Sequence, residues 1–236
     1  MGKLVTSQHG LLGLLLAALT LIPLTEAEHR IIIQSFRISY ETHRHAPHRK
    51  TGEIYFLHIF RQVLRAIHMM RDHEVVSAEL ICIIMLHDAV EDADKGKRTP
   101  FIVTSEIQLL VGDFITYCVL ALTKKKDIES REDYLKRLSH CEAVLVLIAK
   151  PFDGEDNIKT LAATDPKTQA MKVREIFVHY PAIKAHAIRL ITFAGKKGDL
   201  PDWKNWIKLI RHIHQDLRHH AWRQRRRLRR RGIEVM

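Results

Sequence analysis

The chain has 236 residues, 46% of them apolar, and 38 Lys and Arg against 27 Asp and Glu give it a formal charge of +11. That length and apolar content exclude a disordered polymer or a small disulfide scaffold and are sufficient for a hydrophobic core. Few Gly and Pro, and no run of strand-like alternation, predict an all-α globular protein, a helical bundle.

The chain begins with a short apolar segment. Lys3, then Leu11 to Leu24, then Thr25-Glu26-Ala27 has the shape of a signal peptide, and equally of an extra helix broken at Pro23. It is too short for a confident membrane span. Segment 1–28 is therefore set apart from a main domain over 29–200 and a C-terminal part over 201–236.

The first polar landmark is His48-Arg49-Lys50-Thr51-Gly52-Glu53, a cationic loop leading into a helix that starts near Tyr55. Phe56, Phe60, Val63, Leu64 and Ile67 recur at helical spacing, which places His58 in the first turn. A cationic loop at a helix N-terminus is suited to hold phosphate. Next, Val75 to Leu86 is almost uninterruptedly apolar and ends abruptly in His87-Asp88-Ala89-Val90-Glu91-Asp92. A helix apolar all round is a buried central helix. Ionisable residues at its end need partners, because burial without them costs several kcal/mol each. Continued as a helix, the four ionisable residues span a single arc of about 140°. Carboxylates are unfavourable at a helix C-terminus, which favours a functional reading of Glu91 and Asp92.

Thr123-Lys124 follows, and then the apolar run Ala143 to Ala149 leads into Lys150, Asp153, Asn157 and Thr160. Two imidazoles and two carboxylates from three segments can converge on one divalent cation, with a second acidic pair beside them. That combination suits hydrolysis of a phosphate ester.

In this order and with these spacings, Arg-Lys-x-Gly-Glu-x-Tyr-x-x-His, His-Asp-x-x-Glu-Asp, Thr-Lys and Lys-x-x-Asp-x-x-x-Asn-x-Lys-Thr-Leu resemble the HD-type hydrolase domain of the RelA/SpoT alarmone enzymes, especially their stand-alone form, the small alarmone hydrolases. The resemblance covers roughly residues 30 to 195. It implies a manganese ion held by His58, His87, Asp88 and Asp153, and catalysis by Glu91 and Asp92. It also implies contacts of Arg49, Lys50, Asn157 and Thr160 with guanosine tetraphosphate, ppGpp, whose 3′-pyrophosphate would be removed. Gly154 stands where the family usually has Arg, Lys159 where Arg is usual, and Pro151-Phe152 where two small residues are usual. A synthetase domain of the family's bifunctional members is not expected within this length.

Three cysteines, Cys82, Cys118 and Cys141, lie in apolar or helical surroundings without metal-site spacing and fit reduced core thiols. They favour a cytoplasmic protein, with export through the signal-like segment as the alternative.

The charge is concentrated at the end. Seven Arg lie between Arg223 and Arg231, and without them the formal charge falls from +11 to +4. Trp206, Leu209, Ile210, Ile213 and Leu217 mark an amphipathic helix running into that block. The block is either a solvated tail or a contact for RNA or another anionic surface. Three functions follow. One is ppGpp hydrolysis. A second is action of the same type on another nucleotide, such as the 2′-phosphate of NADPH. The third is an inactive HD body that binds nucleic acid or the ribosome through its arginines.

Overall fold

A computed structural model describes residues 7–235. Lys3, expected as the charged start of the N-terminal segment, lies outside them. Every regular element among the described residues is helical. The backbone separates into two compact units, 1–123 and 124–236. The division falls inside the stretch 29–200 that the sequence reads as one domain.

In the first unit, α1 (Gln8–Leu19), α2 (Glu26–His43), α3 (Tyr55–Asp72) and α4 (Ala78–Leu86) are followed by a 3-10 turn (Ala93–Gly96), α5 (Pro100–Leu110) and α6 (Asp113–Leu122). Side chains set the starts. Ser7, Ser77 and Thr99 each accept a hydrogen bond from the exposed N–H groups of the first turn, and Pro100 supplies a helix-ready φ. Thr25 and Glu28 form a reciprocal capping box on α2. α4 is the centre of this unit and packs against α2, α3 and α6. All its residues but Glu79 are buried, from Leu80 through Leu86. Each large apolar side chain removed from water there contributes about 1.5–3 kcal/mol. Phe36 of α2 meets Phe56 of α3 edge to face at 5.4 Å. Leu11, Leu15, Ala18 and Leu19 of α1 are buried, and α1 packs against α3. Residues 8–19 thus form an additional helix of this unit. No helix among the described residues is long and apolar enough to cross a membrane.

The second unit consists of α7 (Arg131–Leu138), α8 (Val144–Lys159), a 3-10 turn (Leu161–Ala163), α9 (Pro166–Val178), α10 (Tyr180–Lys197) and α11 (Trp203–Arg230). α11 packs against α8, α9 and α10 through Trp206, Leu209, Ile210, Ile213 and Leu217. It does not end at Trp222. The helix continues through the arginine block, because Ala221, Gln224 and Leu228 keep the buried stripe in phase. α8 runs through Pro151 and buries Lys150, Asp153, Glu155 and Asp156 among its apolar residues.

Gly154 has a packing reason. A Cβ at this position would lie 2.6 Å from the Tyr180 hydroxyl of α10. Only glycine lets α8 approach Tyr180 this closely.

Cys82 and Cys118 are buried and Cys141 half-buried, and none of the three is in a disulfide. Burial pushes the Cys82 thiol up to about 12, so it stays protonated and behaves as a small apolar residue.

A three-residue metal-type cluster in the first unit

His58 sits in the first turn of α3, as its spacing predicts, and is buried. His87 and Asp88 follow α4 directly. Helical geometry does not continue through them. α4 ends at Leu86, and residues 87–92 form consecutive turns leading into the 3-10 turn. The expected single helical arc for His87, Asp88, Glu91 and Asp92 is therefore replaced by a tighter path. Its cause is local. The Ala89 N–H donates to the Leu86 carbonyl at 2.9 Å, three residues back, and His87 Nδ1 donates to the Ile84 carbonyl at 2.8 Å. The imidazole thus satisfies a carbonyl that the ending helix would leave open.

One ligand-type atom from each of His58, His87 and Asp88 lies within 4.8 Å of the others. The donor set fits a divalent cation in one further respect. The bond from His87 Nδ1 to the Ile84 carbonyl leaves Nε2 as the coordinating nitrogen, 3.1 Å from Asp88 Oδ2. Gln62, one turn along α3, places its amide nitrogen 2.9 Å from His58 Nε2 and 3.4 Å from Nδ1, a contact that would have to give way for that ring to bind a cation through Nε2. Mixed imidazole and carboxylate donors suit manganese and also zinc.

Two residues beside the cluster were not singled out by sequence. Tyr55 donates its hydroxyl to Asp88 Oδ2 at 2.9 Å. Burial, reinforced by Asp88 and Asp92, pushes the phenol far above its ordinary pKa, so it remains a donor. His43, at the end of α2, stacks on the Tyr55 ring at 5.2 Å and donates from Nδ1 to the Ser39 carbonyl at 2.7 Å. Burial lowers its pKa, against the opposing pull of Asp88, and keeps the ring neutral. The sequence did hold a signal for Tyr55. It stands three residues before His58, on the same face of the helix. His43 had none, since its relevance depends on where α2 ends.

Of the acidic pair, Asp92 is buried and Glu91 half-buried. Asp92 Oδ1 lies 2.7 Å from Lys95 Nζ, which also sits 5.7 Å from the Tyr55 ring centroid. Gly96 makes this turn possible: a Cβ there would lie 1.8 Å from the Thr42 carbonyl of α2.

The cationic loop forms a turn in which the Gly52 N–H donates to the Arg49 carbonyl at 2.8 Å, with Gly52 at φ +83°. Arg61 binds Glu53 through two hydrogen bonds of 2.6 and 2.9 Å, and Arg49 approaches the same carboxylate at 3.5 Å. Lys50 is exposed.

Asp153, Asn157 and Thr160 belong to the second unit. Asp153 accepts from Lys150 Nζ at 2.6 Å and from Asn157 Nδ2 at 2.5 Å. Thr160 donates to the Asp156 carbonyl at 2.9 Å and ends α8. Lys150 lies over the Tyr134 ring. Nearby, Arg131 grips Glu175 with bonds of 3.0 and 3.1 Å. Burial opposes the charge of Lys150, but Asp153 together with Tyr134 and Tyr180 outweighs it and holds the ammonium well above its usual pKa.

Comparison with known proteins adds no assignment: no protein-family model and no curated protein matches the chain.

Proposed function

We propose that the protein is a metal-dependent phosphohydrolase of the HD type that removes the 3′-pyrophosphate of ppGpp. The observation that supports it most is the convergence of the buried His58 and His87 with the half-buried Asp88, beside the acidic pair Glu91 and Asp92. His58, His87 and Asp88 would hold manganese. The resemblance adds Asp153 as a fourth ligand. The cation, when bound, acidifies water and offsets negative charge on phosphorus-bound oxygens.

The remaining roles belong to the chain. Tyr55 fixes Asp88 Oδ2 and so the direction of its other oxygen. Asp92 or Glu91 takes the proton of the attacking water. Water oxygen bonds to the phosphorus next to the 3′-oxygen, that P–O bond breaks, and the products are a nucleoside 5′-diphosphate and pyrophosphate. Arg49 and Lys50 supply cationic contacts for the phosphates. The resemblance adds Asn157 and Thr160 as nucleotide contacts.

The deciding experiment is a nucleotide panel with Mn²⁺, scored separately for released pyrophosphate and phosphate. Pyrophosphate from ppGpp is the expected result. Phosphate from NADPH in its place would move the reading to a related nucleotide. No turnover of any nucleotide, with manganese bound, would leave the chain a binding protein. Asp88→Ala is expected to lose metal and activity together, and stoichiometric manganese in that variant would overturn the ligand assignment.

A further inference from the structure

The arginine block resolves into two populations once the helix is followed through it. Arg225 is part of the fold: it donates to the Val235 carbonyl at 3.1 Å and lies 5.5 Å from the Phe177 ring. His219, Trp222, Arg223, Arg226, Arg227 and Arg230 instead line one shallow groove of about 400 Å³. At 100° per residue these six occupy an arc of about 140°. The four arginines fall within about 10 Å along the axis. Trp222 is 48% exposed, and the Arg226 guanidinium lies 4.7 Å from its ring centroid. The opposite face, Leu217, Ala221, Gln224 and Leu228, is buried, and Gln224 donates to the Ile158 carbonyl at 3.3 Å. The helix is therefore held rigidly, with a dense cationic stripe and one large aromatic facing solvent.

We propose that this face of α11 binds single-stranded nucleic acid, with phosphates along the arginines and a base stacked on Trp222. A cationic track with an aromatic platform is what an unpaired strand requires, since every base offers a π-face and every phosphate a charge. The alternatives fit less well. An interfacial membrane helix inserts an apolar face, and the apolar face of α11 already lies inside the unit. A duplex offers no free base face to Trp222. The proposal is independent of the hydrolase reading, since its residues are separate from the metal-type cluster.

The test uses the full chain and a fluorescently labelled oligouridylate of about 12 nucleotides, within the usual range of site sizes. Four phosphate contacts on a single strand give a slope of log affinity against log salt of about −3, so affinity falls about fiftyfold between roughly 50 and 200 mM salt. Replacing Arg223, Arg226, Arg227 and Arg230 together by Gln is expected to remove that binding. Trp222→Ala is expected to weaken it about tenfold and leave the slope unchanged. Substitution is used because truncation after Trp222 would also strip the buried Leu228. All five side chains are exposed, so thermal unfolding should match the parent. If the quadruple variant unfolds, Arg226→Gln alone is expected to reduce the slope by about 0.7. Absence of binding at low salt, undiminished binding by folded variants, or tighter binding to phosphatidylserine vesicles or to a duplex of equal length would each overturn the proposal.

Discussion

Each unit sets a carboxylate next to ionisable partners, the half-buried Asp88 in the first and the buried Asp153 in the second, and the two do so in opposite ways. In the first, Asp88 is met by a phenol and an imidazole, with a second imidazole within reach. In the second, Asp153 is met by an ammonium, and a guanidinium and another carboxylate pair nearby. The second cluster neutralises itself with charges of its own unit. The first brings acceptor atoms together around a phenol donor that cannot supply charge. The two carboxylates therefore differ in the chemical type of the partner that meets them.

The largest expected effect separates the two clusters by stability. Lys150→Met leaves Asp153 buried without its ammonium and should cost about 3–5 kcal/mol in urea unfolding. Asp88→Asn, measured without metal, should change stability by less than about 1 kcal/mol, because an amide oxygen still accepts from Tyr55. Equal losses in both would show that the two carboxylates do not differ in this way.

The next effect lies in turnover. Glu91→Gln and Asp92→Asn should retain manganese and nucleotide, yet lower kcat on ppGpp by about 10² or more. Unchanged kcat in both variants would return these residues to a polar turn.

A smaller effect concerns Gly154. Gly154→Ala forces a Cβ against the Tyr180 hydroxyl and should destabilise by about 1–3 kcal/mol. Tyr180→Phe in the same chain should restore part of that loss, and no restoration would place the strain elsewhere.

A further effect, read in the pH profile, is confined to the second unit. Burial, with help from Lys184, lowers the pKa of His214 to about 3. The unfolded chain binds a proton near the ordinary histidine pKa of about 6.5, and the folded one does not. The stabilisation is complete above that pH and is lost as pH falls towards 3, by at most about 1.4 kcal/mol per pH unit. His214→Leu should flatten the fall of Tm with acidification over that range, and an unaltered pH profile would show that His214 does not govern it.

Much of this was legible along the chain. The apolar run 75–86 identified the buried central helix because a helix without a polar face has nowhere else to go. The spacing of Phe56, Phe60, Val63 and Ile67 located α3 and placed His58 near its start. Local grammar failed at two ends. α4 stops at Leu86 because the His87 side chain takes the Ile84 carbonyl, a choice no periodicity encodes. The arginine block reads as a tail by composition, yet it is helix because Gln224 and Leu228 find buried partners.

Sequence by itself therefore determined the helical class, the central helix and the residue types available for chemistry, since these follow from short-range pattern and burial preference. Tertiary structure alone decided which of those residues meet. It set Tyr55 of α3 against Asp88 after α4 and stacked His43 of α2 on Tyr55. It paired Asp153 with Lys150 and turned four of seven arginines to one groove. Those outcomes depend on helix ends and crossing contacts, where a few ångströms select among partners that the chain lists without ranking.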